Sequence, residues 1–202
     1  MFDYLNESLR SYLEKLAARV PCPGGGSVAA LTASLSAALA SMVANYTLGK
    51  KNYRQYEHLI AATLEKIKAI GQKLERFVED DSRLYEKIQQ ATRQNSPALQ
   101  EHLRLSAGLH LEISRECFSL LQEDLLLLEK GNRHLISDVG ISAVLAEAAF
   151  RAACINAAIN FKYIQDTAFV AAGQAELEDL KTKIFPLCST IEQKVNQTLK
   201  GD

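Results

Sequence analysis

Glycine and proline are scarce in this chain. It has ten of one and four of the other in 202 residues, about 7% where roughly 12% is usual. No proline falls between Gly24 and Ser96, or between Ala98 and Phe185. Strands are joined by turns, and turns draw on these two residues. An all-β or alternating α/β fold is therefore excluded, and the expectation is all-α. An excess of charge is missing as well: 23 Lys+Arg against 24 Asp+Glu leave a net −1, without the basic surplus of a nucleic-acid binder. Cys22, Cys117, Cys154 and Cys188 form no CxxC pair, and His58, His102, His110 and His134 form no HExxH. With no metal-ligand spacing, no metal is expected, and the thiols read as reduced core side chains of a cytoplasmic protein. The N-terminal MFDYLNESLRSYLEKLAARV has no uninterrupted apolar stretch, so no secretory leader is expected.

What is present is helical. Val28 to Leu48 runs 21 residues without a charge, long enough to cross a bilayer. It is built from Ala, Ser and Thr, however, and makes a thin helix that neighbours approach closely. We read it as the central helix of a bundle and not as a membrane span. Six helices are predicted in one domain spanning residues 1–202. The first covers Asp3 to Arg19, and the second opens after Gly24-Gly25-Gly26 with Ser27 as N-cap. A third covers Tyr53 to Gln94 with a kink near Gly71. The fourth follows Ser96-Pro97 and ends at Gly131. A fifth is capped by Ser137 or Asp138 and reaches about Asp166. The last covers Ala175 to Lys200 and is kinked or split at Pro186.

In the third helix Leu59, Thr63, Ile67, Ile70, Leu74, Phe77, Asp81, Leu84 and Ile88 recur at steps of three and four, the pattern of one buried face. Asp81 is the outlier. A carboxylate on a buried face needs a partner or loses its charge, because desolvating it alone costs several kcal/mol. Asn45 on the second helix, His110 on the fourth, and Asn156 and Asn160 on the fifth also interrupt apolar faces. Pro21-Cys22-Pro23-Gly24-Gly25-Gly26-Ser27 has two readings. It is either a tight turn that lets helices cross or a cradle whose amides meet a ligand at a helix N-terminus. It matches neither a dinucleotide fingerprint nor a P-loop.

PCPGGGSVAAL, followed by ASMVANYTLGKKNY, VEDDSRLYEKI and LEKGNRHLISDVGISAVLAEAAFRAACINAAINFKYIQD, resembles the cyclodeaminase/cyclohydrolase family of folate one-carbon metabolism. The likeness runs from about Leu13 to Asp166. Cys22 stands where threonine or another small residue is expected, and Ala157-Ala158 replaces a bulkier pair. The resemblance implies an all-helical homodimer whose folate site is built from the glycine loop and the helix carrying Asp81. It implies catalysis by Asp81 and Asp138, and substrate binding by Pro23, Gly24, Gly25, Gly26, Ser27, Asn45, Lys50, Lys51 and Asn160. Lys50 and Lys51, with Arg54 a turn on, would meet the glutamate carboxylates of a folate tail, polyglutamylated or not.

The implied reaction is cyclodeamination: N10 of 5-formiminotetrahydrofolate joins the formimino carbon, ammonia leaves, and 5,10-methenyltetrahydrofolate forms. No cofactor is needed beyond the tetrahydrofolate substrate, since one carboxylate can take the N10 proton and return it to the departing ammonia. Hydrolysis of methenyltetrahydrofolate to 10-formyltetrahydrofolate is the alternative at the same carbon. A helical dimerisation scaffold without chemistry is the alternative outside enzymes.

Overall fold

The computed structural model describes residues 2–200. After a 3-10 turn at Tyr4–Asn6 the helices are α1 (Leu9–Ala17), α2 (Gly25–Thr47), α3 (Glu57–Arg93), α4 (Leu99–Lys130), α5 (Ile136–Phe161) and α6 (Thr167–Lys200). At 1.5 Å per residue, α3 is about 55 Å long. α2 packs on both α3 and α5, α4 on α5 and α3, and α6 closes the bundle against α4 and α5. The all-α bundle is the architecture expected.

The boundaries differ where side chains compete with the backbone. The first helix is broken at Glu7 and Ser8, because Ser8 Oγ accepts the Ser11 N–H at 3.1 Å and starts α1 afresh. Gly24, not Ser27, is the N-cap of α2. Neither Ser137 nor Asp138 caps α5, which begins at Ile136 after Leu135. Asp138 stands inside the first turn instead, where a carboxylate complements the helix dipole. α5 stops at Phe161, and α6 starts eight residues earlier than expected, at Thr167, where the Asp166 carboxylate accepts the Phe169 N–H at 3.0 Å.

α3 runs unbroken through Gly71, where a Cβ would meet the Ala37 methyl at 3.4 Å, so the residue serves close packing of α3 on α2. Pro186 does not split α6. It lies on the exposed face, where water can take the carbonyl that proline leaves without a donor.

The core follows helix periodicity with a shift. On α3 the buried positions are Ile60, Thr63, Leu64, Ile67, Leu74, Val78, Ser82 and Ala91, and Leu59 is 43% exposed. The face is turned by about one residue from the expected seam, which puts Asp81 on its shoulder. α2 and α5 run antiparallel, with Ser36 and Ser142 at their crossing. Ser36 Oγ donates to the Ser142 carbonyl at 2.9 Å, and Ser142 Oγ donates to the Ser36 carbonyl at 3.1 Å. Fully buried Asp124 of α4 lies 3.0 Å from Ser142 Oγ. Burial pushes its carboxyl well above the usual carboxylate range. α2 is apolar and long enough to cross a membrane by composition, but half of its most apolar window is buried within the fold.

Candidate active site

The first-turn N–H groups of a helix have no intrahelical partner, and Gly24 offers no side chain to cap α2. The cap comes from another helix: Asp81 Oδ2 on α3 accepts the Ser27 N–H at 2.9 Å. A carboxylate is favoured there by the positive end of the α2 dipole. Its other oxygen, Oδ1, lies 3.4 Å from His110 Nε2 of α4, and the two side chains are 14% and 2% exposed. His110 Nδ1 is buried without a hydrogen-bond partner among the described residues.

Both groups reach this point because Gly26 has no side chain. A Cβ there would stand 2.0 Å from Asp81 Oδ1 and 2.6 Å from His110 Cε1. From below, the Tyr12 hydroxyl bonds Ser27 Oγ at 3.0 Å. Burial, with the Asp81 charge adding to it, pushes the Tyr12 phenol and the Cys22 thiol up.

Asp81 and His110 line a cavity of about 420 Å³, together with Pro21, Cys22, the three glycines, Tyr85, Ile88, Leu103, Ser106, Asn156, Ile159, Asn160 and Tyr163. The two asparagines stack at i and i+4 on α5. Asn156 Nδ2 donates to the Ala152 carbonyl at 2.9 Å; Asn160 Nδ2 donates to the Asn156 carbonyl at 2.9 Å and to Ser106 Oγ at 3.1 Å. Neither side-chain carbonyl oxygen accepts a hydrogen bond among the described residues. A groove of about 520 Å³ between α3 and α4 is larger, but its arginines Arg83, Arg104 and Arg115 are engaged with Glu79, Asp80, Asp166, Glu112 and Glu176. Among the described residues, no three His, Cys, Asp or Glu side chains gather as a metal-binding group.

Of the residues expected at the site, Gly24, Gly25, Gly26, Asp81 and Asn160 line this cavity. Ser27 is buried beneath it and acts through its N–H, and Pro23 is buried behind the loop after a cis Cys22–Pro23 bond. Asn45, Lys50, Lys51 and Asp138 are elsewhere. Asn45 is about 30 Å along α2 from Gly25, and Asp138 about 27 Å along α5 from Asn156. Those four share the opposite end of the bundle, where the Asn132 N–H donates to Thr47 Oγ1. His110, Asn156 and Ser106 were not assigned to the site from sequence. Their signal was the line of Leu103, Ser106 and His110 on α4 and the Asn156–Asn160 pair, polar residues on otherwise apolar faces.

Known proteins resemble this chain over most of its length. Residues 8–179 match the family model described as formiminotransferase-cyclodeaminase. The chain is 33% identical over 205 residues to a methenyltetrahydrofolate cyclohydrolase of Methylorubrum extorquens, covering 95% of this chain and 99% of that protein. It is 34% identical over 192 residues to the formimidoyltransferase-cyclodeaminase of Sus scrofa, covering 87% of this chain and 34% of that longer protein. The crystal structure of a formiminotetrahydrofolate cyclodeaminase from Thermotoga maritima superposes with a TM-score of 0.93 at 29% identity, over 98% of this chain and 100% of that one. A family model that matches residues 8–179, and a relative 33% identical over almost the whole of both chains, place the chain plainly: the protein belongs to the formiminotransferase-cyclodeaminase family.

Proposed function

We propose that the protein is a formiminotetrahydrofolate cyclodeaminase, with Asp81 as the proton-transferring group. The observation that carries this reading is Asp81 itself: a carboxylate that accepts the Ser27 N–H and lies 3.4 Å from His110 Nε2, at the wall of a cavity large enough for a folate head group. The protonated formimino group is already electrophilic. Attack by N10 gives a tetrahedral intermediate that carries the N10 proton as positive charge, which the carboxylate offsets. Asp81 takes that proton, passes it to the NH₂ group, and ammonia leaves with both electrons of its C–N bond. The Ser27 N–H holds the carboxylate in place for both transfers, with the His110 ring beside it. The side-chain oxygens of Asn156 and Asn160 suit the N3–H and 2-amino donors of a pterin ring.

The working unit in this reading is a homodimer of one-domain subunits in the reducing cytoplasm, where four free cysteines are at home. The support is the outward face of α2 and α5. It exposes Leu35, Tyr46, Ile141, Val144, Ile155 and Ile159, and α2 carries no charge at all; apolar faces of this kind mark association surfaces. A two-fold axis across the middle of α2 would lay the Gly24–Ser27 end of one copy over the Asn45–Lys51 end of the other. Asn45, Lys50, Lys51 and Asp138 would then complete a cavity from which they are distant within one copy.

Cyclohydrolysis is the second reading, favoured by the Methylorubrum relative matched over its whole length. There Asp81 would take a proton from water instead of N10. The test is Asp81→Asn given each substrate in turn: methenyl-folate absorbance rises in cyclodeamination and falls in cyclohydrolysis. Loss of a general acid–base group should lower kcat by about 10²–10⁴-fold. Near-normal kcat with the fold intact refutes the role of Asp81. If the unaltered protein turns over neither substrate and binds no folate, a scaffold remains.

A further inference from the structure

The active-site cavity does not end at its mouth. A second cavity of about 450 Å³ shares Pro21 and Tyr85 with it and continues along α3 to Arg93. Asp81, Tyr85, Gln89 and Arg93 follow one another at four-residue steps in a row winding outward along the helix. The last three side chains are joined: Gln89 Nε2 donates to the Tyr85 hydroxyl at 2.6 Å, and Arg93 Nη2 donates to Gln89 Oε1 at 3.3 Å. Arg93 makes no ion pair among the described residues, so its guanidinium is held by a neutral amide and keeps its charge for an anion.

We propose that this row is the subsite for the aminobenzoyl-glutamate part of the substrate, with Arg93 binding a glutamate carboxylate. The inference rests on the folate reading of the Asp81 cavity. Lengths decide it. Arg93 is twelve residues from Asp81, about 18 Å along the helix, and an arginine side chain reaches back about 6 Å. From the substrate side, N10 must sit about 3 Å from the Asp81 carboxylate for proton transfer. The aminobenzoyl ring and amide then carry the glutamate carboxylates on the order of 10 Å further, by standard bond lengths. Both routes meet about 12–13 Å from Asp81. Tyr85, 41% exposed, stands where the two cavities meet and the aminobenzoyl ring would pass, and can take it edge-on or stacked; Tyr163, 58% exposed, lines only the Asp81 cavity. Glu86 flanks the same groove and disfavours a carboxylate stopping short of Arg93. Lys50 and Lys51 lie at the far end of this copy's bundle and cannot hold this first carboxylate in the same subunit.

The experiment compares Arg93→Gln and Arg93→Lys with the unaltered protein. The ligands are 5,10-methenyltetrahydrofolate as the monoglutamate and 5,10-methenyltetrahydropteroate, which lacks the glutamate. Kd is read by titration, and KM and kcat are read where turnover occurs. Arg93→Gln should raise Kd and KM for the monoglutamate about tenfold to a hundredfold, leave kcat unchanged, and leave the pteroate values untouched; Arg93→Lys should fall between. Unchanged monoglutamate binding, or equal weakening of both ligands, overturns the subsite. Arg93 is on the surface, so folding is not at stake. If the unaltered protein converts no folate, the enzymatic reading falls, and the two-ligand Kd comparison still decides the subsite.

Discussion

Gly26→Ala separates the geometry of the site from the stability of the fold. The added methyl would stand 2.0 Å from Asp81 Oδ1, 2.4 Å from its Cγ and 2.6 Å from His110 Cε1. Ordinary contact begins near 3.4 Å, so carboxylate and imidazole must together give way by more than 1 Å. Movement of Asp81 opens its bond to the Ser27 N–H. Overpacking of this kind costs about 1–3 kcal/mol, offset by about 1 kcal/mol that alanine gains over glycine inside a helix. The fold should therefore lose no more than about 2 kcal/mol, while a displacement of about 1 Å at the reacting group lowers the rate about 10²-fold. Gly24→Ala is the control for stability. Its Cβ would meet nothing within 4 Å, and its φ of −133° is extended backbone open to any residue, so its stability should change by less than about 0.5 kcal/mol. Urea unfolding followed by helix circular dichroism, with methenyl-folate absorbance for turnover, measures both quantities. Wild-type kcat in Gly26→Ala, or a Gly24→Ala protein as destabilised as Gly26→Ala, would refute the account of the loop.

Two further outcomes are expected. Asp124 is protonated more readily in the folded state than in the unfolded chain, because burial raises its carboxyl. Its contribution is complete below the ordinary aspartate value and is lost as pH rises towards the folded one, at up to about 1.4 kcal/mol per pH unit. Asp124→Asn should flatten that decline in a plot of urea midpoint against pH, and an unchanged slope would assign the decline to other groups. On the outward α2–α5 face, Leu35→Glu and Ile141→Glu alter side chains 53% and 52% exposed in one copy. Each should leave the helix content intact, convert a dimer to monomer in sedimentation, and lower turnover with it. Monomeric wild-type protein with full activity would end the two-copy account of Asn45, Lys50, Lys51 and Asp138.

Helix number and class were legible from how little glycine and proline the chain carries, and from the period of its apolar residues. Those are local properties: rise, rotation and capping depend on neighbours within a few positions. Asp81 was legible as an anomaly for the same reason, since one period defines one face. What the period leaves open is which helix a face meets and at what height along it. His110 is 29 positions from Asp81, and Asn156 lies a further helix away. Their convergence depends on the crossing of α3, α4 and α5, which is set by side-chain packing across the whole bundle. The triple glycine illustrates the limit: a ligand cradle and a tight helix approach predict the same three residues. Only the packed structure shows that Gly26 is the one a methyl would fill, because it alone lies where a carboxylate and an imidazole from two other helices close on the α2 backbone. Likewise, Asn45, Lys50, Lys51 and Asp138 look like site residues by motif, but about 30 Å of rigid helix keeps them from Asp81 within one copy. Tertiary structure therefore decided which candidate groups can act together, because proton transfer depends on separations of a few ångströms that no local pattern encodes.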